Sequence, residues 1–124
     1  MSTHEQELGR FGERVACQWL RLKGWTVMWQ RFRNGHRDID VIARKGNTVT
    51  FVEVKTRSDL HFGDPISAVN YCKLEQLWRS CTVWIIRHGR PCWEYRIDVI
   101  CVLVRDGKIK IRHVENAHVF SRGR

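Results

Sequence analysis

Negative charge is scarce in this chain: 13 Asp and Glu stand against 22 Lys and Arg, giving a formal net charge of +9. An excess of this size points to a polyanionic partner, nucleic acid being the commonest, with a solubility device as the plain alternative. Metal-binding cysteine pairs are also missing. The five cysteines, Cys17, Cys72, Cys81, Cys92 and Cys101, are odd in number and contain no C-x-x-C spacing, which excludes a zinc-finger pattern. Each lies in an apolar run, so they read as small buried hydrophobes of a reducing compartment. No apolar stretch is long enough to span a bilayer, and the polar start Met-Ser-Thr-His-Glu-Gln-Glu is no signal peptide. A cytoplasmic protein without a membrane partner is expected. Repeats, low-complexity tracts and linkers are absent as well, so the expectation is one domain over residues 1–120 and a basic mobile tail over 121–124. What is present suffices for a core: 124 residues, 43% hydrophobic, with six tryptophans.

The most informative stretch runs from Arg37 to Arg57. Two segments alternate with period two, Asp38 to Arg44 and Thr48 to Lys55, and Gly46-Asn47 lies between them. That is a hairpin signature, the two turn residues supplying the positive φ of a primed turn. Such a turn pairs residues whose numbers sum to 93, setting Asp40 against Glu53, Asp38 against Lys55 and Ile42 against Phe51. Two opposed carboxylates on largely buried strands repel, and a folding argument does not ask for them. A divalent cation between them reverses the sign, hard carboxylate oxygens being what Mg²⁺ prefers. Lys55, two residues beyond Glu53, shares its face. A one-residue slip in register would separate the acids.

Around this hairpin the chain reads in order. Ser2 or Thr3 caps a first helix whose apolar stripe is Leu8, Phe11, Val15, Trp19 and Leu22, stopped by Gly24. Glu13 lies on its flank toward Ala16, Cys17 and Leu20, and alone reads as a solvated carboxylate. Gly9 and Gly12 each cost about 1 kcal/mol inside a helix, so they point to close approach of a strand or a ligand backbone. Trp25, Val27 and Trp29 alternate as a first strand. Gln30 to Arg37, with Arg31, Arg33, His36 and Arg37 around Asn34-Gly35, is either a solvated turn or a phosphate clamp beside the acids. The polar run Thr56 to Pro65 is a loop. Asn70 can cap a second helix with Leu74, Leu77, Trp78, Cys81 and Ile85 as its stripe, although Thr82 to Ile86 is β-branched and aromatic enough to be a strand. Lys73 falls in its first turn, where the helix dipole does not help a lysine, which hints at an anion there. Trp93 to Val104 is a long strand with Ile97, Val99, Cys101 and Leu103 on one face and Asp98 on the other, and Asp106-Gly107 turns it into a last strand, Ile109 to Val114. The result is an α/β fold of order α-β-β-β-α-β-β, one mixed sheet flanked by helices.

An acidic pair and a lysine on a rigid sheet suit phosphodiester hydrolysis. Asp40 and Glu53 would hold Mg²⁺, with Mn²⁺ as the alternative; the ion polarises the phosphate and lowers the pKa of a bound water. Lys55 would orient that water or neutralise charge on the phosphoryl group. Glu13 would join through a metal-bound water. As a bare pattern D-x12-E-x-K is weak, and the cross-strand pairing and basic surroundings strengthen it.

These residues resemble the core of the PD-(D/E)XK nuclease superfamily, and more closely the YraN family of small bacterial endonucleases, relatives of the archaeal Holliday-junction resolvases. Gly9-Arg10-Phe11-Gly12-Glu13 with Ala16 is similar to the family's N-terminal helix, Asp38-Ile39-Asp40-Val41-Ile42-Ala43 to its acidic strand, and Phe51-Val52-Glu53-Val54-Lys55-Thr56-Arg57 to its E-x-K strand. Gly63-Asp64-Pro65, Ala68-Val69, Lys73, Arg96-Ile97-Asp98-Val99 and Asn116-Ala117 follow where the family has similar residues. Two positions depart from it: Arg37-Asp38 stands where the family has Gly-Glu, and Asn70 where it has threonine. The resemblance implies a restriction-endonuclease-like core, Mg²⁺ dependence and the roles given above to Glu13, Asp40, Glu53 and Lys55. Arg10, Arg31, Arg33, Arg37, Arg57 and Lys73 are the expected nucleic-acid contacts. The leading function is a metal-dependent DNA endonuclease, with selectivity for branched structures as its finer form, and action on branched DNA would require a homodimer formed at exposed tryptophans. The competing readings are a catalytically silent nucleic-acid-binding module and a structural or adaptor protein whose acids are satisfied by arginines such as Arg37 or Arg57.

Overall fold

Residues 3–35, 37–58 and 71–117 are described by the structure, a computed structural model. Helix α1 spans His4–Leu22 and begins at Thr3, whose side chain accepts from the Gln6 amide while Gln6 accepts from the Thr3 amide. This reciprocal box satisfies two of the orphan donors of the first turn. Gly24, at φ +92°, turns the chain out of the helix. The buried face differs from the expected stripe. Gly12, Ala16, Cys17 and Leu20 are buried, whereas Leu8, Phe11, Val15 and Trp19 are half-buried flanks and Leu22 is 84% exposed. The reason is distance: small residues let the helix lie close on the sheet, and the bulky ones are pushed to its margins. Gly12 meets the side chain of Thr56 so closely that a Cβ there would collide with it, while Gly9 faces open space. Close approach to a strand therefore explains Gly12 and not Gly9.

Five strands form one sheet in the order β1-β2-β3-β4-β5: Thr26–Phe32, Ile39–Lys45, Thr48–Arg57, Glu94–Arg105 and Lys108–Val114. All neighbours are antiparallel except β3 and β4, which are parallel and joined through helix α2, Tyr71–His88. This is the mixed sheet and the element order the sequence implied, an α/β arrangement of the nuclease type. Thr82 to Ile86 is helical, its β-branched residues overridden by the packing of Leu77, Cys81 and Trp84 on the sheet. The β2–β3 register is the expected one, from Val41↔Val52 through Ile42↔Phe51 to Lys45↔Thr48. Only Gly46 carries positive φ, +59°, so glycine at the first turn position alone does the work and Asn47 does not share it. At the other hairpin, Asp106 and Gly107 both do, at +52° and +72°.

The sheet divides two cores. On one face Ile42, Phe51, Ile97 and Val99 pack against Leu74, Leu77, Cys81 and Trp84 of α2. On the other, Val41, Val52, Ile100 and Val102 pack against Ala16, Cys17 and Leu20 of α1 and against Trp25. Cys17, Cys81 and Cys101 are buried, and desolvation holds the first two as protonated thiols. Cys92 departs from the expectation: it is exposed, because it stands on the turn between α2 and β4 and not inside an element. Trp29, at 39%, is the one exposed tryptophan among the described residues. No helix among them is long and apolar enough to cross a membrane. His36, the loop from Asp59 to Pro65, Asn70 and the 121–124 tail lie outside the described residues.

Candidate metal centre

The β2–β3 ladder ends at Val41↔Val52. Just beyond it, Asp40 takes over as acceptor: the Val54 amide donates to its Oδ2 at 2.8 Å. Glu53 precedes Val54 and is 8% exposed, and Lys55 Nζ follows at 3.3 Å from Glu53 Oε1. Strand alternation gives Glu53 and Lys55 the face of Phe51. They open into a cleft of about 680 Å³ at the strand ends, which Gly9 and Glu13 of α1 and Asp40 also line. Burial and the neighbouring Glu53 charge raise the Asp40 pKa to about 7, against the lowering effect of the Val54 hydrogen bond. An acid so raised is one whose negative charge lacks compensation. Among the described residues, Oδ1 of Asp40 and Oε2 of Glu53 accept no hydrogen bond.

Arg31 belongs to β1, and Arg33 and Arg37 to the segment between β1 and β2. Each is paired with an acid of the neighbourhood: Arg31 with Glu13 at 3.2 Å, Arg33 with Asp38 at 3.5 Å, and Arg37 with Glu53 at 2.9 Å. Arg31 reaches Glu13 from a left-handed backbone, φ +55°. One expectation changes as a result. Asp38 lies before the start of β2 and pairs with Arg33 instead of facing Lys55. Glu13 pairs with Arg31 and lines the same cleft as Asp40 and Glu53. It remains near enough for its charge to raise the Asp40 pKa further. Arg10 and Arg57 are half-buried, Arg57 donating to the Thr56 carbonyl at 3.0 Å, and Lys73 is exposed in the first turn of α2.

A second polar cluster was only partly legible in the sequence. Asp98, fully buried on β4, accepts from the Asn116 amide at 2.9 Å, lies 3.0 Å from Arg96 Nε, and is 2.8 Å from Nε2 of His113. Trp19 Nε1 donates to Nδ1 of the same ring at 3.1 Å. An indole nitrogen can only donate, so Nδ1 bears no proton and Nε2 carries the hydrogen aimed at Asp98. Burial would raise the Asp98 pKa, but the hydrogen bonds from His113 and Asn116 and the Arg96 charge together hold it below its ordinary value. Asp98, His113 and Glu115 come within 4.8 Å of one another, a grouping of metal-ligand type. Here, however, both ring nitrogens are engaged and Arg96 supplies the positive charge, bonding Glu115 as well at 3.3 Å. The cluster thus ties α1, β4 and β5 together. Its sequence signals are Asp98 on the face opposite Ile97 and Val99, and the family-like Arg96-Ile97-Asp98-Val99 and Asn116-Ala117 motifs, none of which points to Trp19 or His113.

The donor set at Asp40 and Glu53 suits a hard divalent cation: two carboxylates from adjacent strands, each with an oxygen to offer, and an acid pair whose repulsion such an ion would relieve. Comparison with known proteins bears on the rest of the chain. A UPF0102 protein of Beutenbergia cavernae is 43% identical over 108 residues, covering 86% of this chain and 92% of that protein. UPF0102 proteins of Syntrophomonas wolfei and Alkaliphilus oremlandii are 38% and 40% identical, each alignment covering 90% of this chain and 97% of the relative. The family model matches residues 12–102, a span that holds Glu13, Asp40, Glu53, Lys55 and Asp98. The chain belongs to the uncharacterised protein family UPF0102, the YraN family that its motifs resemble.

Proposed function

We propose that this protein is a divalent-metal-dependent endonuclease that hydrolyses phosphodiester bonds in DNA. One observation carries the reading: two buried or half-buried carboxylates, Asp40 and Glu53, meet a lysine at the mouth of a cleft, with Asp40 raised to about 7 by burial and by the Glu53 charge. An acid pair only partly compensated is costly to bury, and perturbed carboxyls of this kind cluster at functional sites.

Asp40 and Glu53 would hold Mg²⁺ or Mn²⁺. When bound, the ion supplies Lewis-acid polarisation of the phosphate and activation of water. Asp40 is kept in position by the Val54 amide, so its free oxygen has a fixed direction. Lys55, 3.3 Å from Glu53, sets a positive charge where the phosphoryl oxygens develop theirs. Glu13 acts at longer range, by its charge on Asp40. The net charge of +9 favours a polyanionic substrate.

A second reading is favoured by Arg37. Its ion pair with Glu53 partly neutralises the acid pair, as expected of a structural protein that keeps the scaffold without turnover. The two readings separate in one assay. Labelled single-stranded, duplex, flap and four-way-junction DNA are incubated with wild type or Glu53→Ala in Mg²⁺, Mn²⁺ or EDTA. Metal-dependent cutting lost in Glu53→Ala supports the nuclease, and the preferred DNA form defines its selectivity. Absence of cutting on every form, with no divalent effect on thermal stability, supports the structural reading instead.

A further inference from the structure

The β4–β5 hairpin carries a run of cations that the metal centre does not use. Arg105, Lys108, Lys110 and Arg112 are all exposed. Among the described residues none of the four has an ion pair or hydrogen-bonding side-chain partner. By strand alternation and register they share one sheet face, the face that also bears Glu53 and Lys55. The pairing lines them up with the site in rows across the sheet. Lys55 of β3 neighbours Cys101 of β4, which neighbours Arg112 of β5; Arg57, Leu103 and Lys110 form the next row. No acid stands in either row. Arg112 is two strand spacings, roughly 10 Å, from Lys55. Along β5, Lys108, Lys110 and Arg112 are about 6.8 Å apart, a step comparable to that between successive phosphates of an extended strand.

The arrangement carries a folding cost. Arg105 and Lys108 are direct cross-strand partners beside the Asp106-Gly107 turn, and like charges opposed in this way destabilise a hairpin. Edge strands often carry lysine to discourage sheet-to-sheet pairing, and β5 is an edge. Blunting an edge, however, does not require the opposed Arg105–Lys108 pair or alignment with the acidic site.

We propose that this hairpin is a docking surface for the phosphodiester backbone of a nucleic acid, with Lys108, Lys110 and Arg112 contacting successive phosphates on the stretch that leads away from Lys55. The proposal rests on the nuclease reading for the direction of the track, and its occupant is a nucleic-acid strand. Contacts of this kind confer affinity and register but no sequence preference.

The test is binding of fluorescein-labelled single-stranded and duplex oligonucleotides to the full chain, in Ca²⁺ and over about 50 to 200 mM salt. Wild type is compared with Lys108→Gln/Lys110→Gln/Arg112→Gln and with Arg21→Gln/Arg79→Gln/Arg87→Gln, which removes the same charge from exposed helical positions. The hairpin variant is expected to bind about tenfold more weakly, with a log–log salt slope shallower by about two for the single strand, and the helix variant to stay near wild type. Equal affinity of wild type and hairpin variant, or an equal loss in both variants, overturns the proposal. Thermal unfolding checks that each protein is folded, and Lys110→Gln and Arg112→Gln alone, each expected to reduce the slope by about 0.7, repeat the test if the triple variant is not. The two readings fail separately. Binding lost in the hairpin variant while wild type never cuts removes the nuclease and keeps the docking surface. Cutting by wild type with an unchanged KM in the hairpin variant does the reverse. A wild type that binds no nucleic acid removes both.

Discussion

Arg37 Nη2 donates to Glu53 Oε1 across 2.9 Å, and both residues stand at the open end of the β2–β3 hairpin, away from its Gly46 turn. Lys55 shares the same oxygen. The acid pair is therefore compensated on one side only, through Glu53, while Asp40 has a backbone amide for a partner.

Removing that compensation has a defined effect. Arg37→Ala is expected to destabilise the protein by about 1–2 kcal/mol, less than a fully buried pair because the site faces a cleft. Divalent cation should then raise Tm more in the variant than in wild type, since the ion meets an acid pair with less competing charge. Denaturant titration and thermal shift with Mn²⁺ measure the two effects. An Arg37→Ala protein as stable as wild type would show that Lys55 alone is sufficient counter-charge.

The pH dependence follows from Asp40. Its folded pKa, about 7, lies above the ordinary carboxyl value of 3.8. The stability that its protonated form contributes is complete below about pH 4 and is lost as pH rises through 7. Asp40→Asn should remove this slope, leaving a protein relatively more stable than wild type at pH 8 than at pH 5. Because a cation competes with the same proton, the wild-type Tm gain in Mg²⁺ or Mn²⁺ should be larger at pH 8 than at pH 6 and absent in Asp40→Asn. Parallel pH profiles of the two proteins would contradict the assignment.

The two helical glycines should respond oppositely to alanine. Gly12→Ala forces a methyl group into Thr56 and is expected to cost about 1–3 kcal/mol, partly offset by about 1 kcal/mol of helix propensity. Gly9→Ala meets nothing and should stabilise by up to about 1 kcal/mol. Urea unfolding of both variants decides it. A stabilising Gly12→Ala would mean that α1 rides higher on the sheet than described.

Much of this fold was legible because its signals are local. Period-two alternation and the Gly46 turn fix the β2–β3 register without reference to anything distant. The buried face of α1 was not legible in this way. Apolar spacing pointed to Leu8, Phe11 and Val15, but which side of a helix faces a sheet depends on the approach distance, and Gly12 and Ala16 reveal that only once Thr56 lies opposite. The opposed acids Asp40 and Glu53 could be found by strand pairing alone. Arg37 is among the arginines expected to satisfy them, and it does pair with Glu53, but the Arg31–Glu13 pair has no local signal because it joins α1 to the far end of β1. The Asp98 cluster has a local part, Arg96-Ile97-Asp98-Val99, but its Trp19, His113 and Asn116 members come from distant parts of the chain and carry no pattern that joins them to it.

That cluster is expected to be the more sensitive to mutation. Asp98→Ala removes the acceptor of His113 and leaves half-buried Arg96 with Glu115 alone, and should cost about 3 kcal/mol. Trp19→Phe removes one indole donor and should cost about 1 kcal/mol. Since the folded pKa of Asp98 is lowered, its contribution is present above about pH 4 and is lost as the pH falls through the lowered value, which acid unfolding of wild type and Asp98→Asn would resolve.

The central strand β3 pairs with β2 across a two-residue turn but with β4 only after α2 has been placed. Loop closure makes the first contact fast and the second slow, so the hairpin is expected to form before the sheet is complete. Asp40 and Glu53 then meet while still in water, where two like charges at about 4 Å repel by only about 1 kcal/mol. The larger penalty of desolvating them falls after that encounter, when β4 and α1 close over the hairpin. Refolding should therefore be slowed by Ile42→Val within the hairpin, whereas Leu77→Ala on α2 should mainly speed unfolding. The order in which the chain assembles would let it bring two acids together cheaply and bury them last.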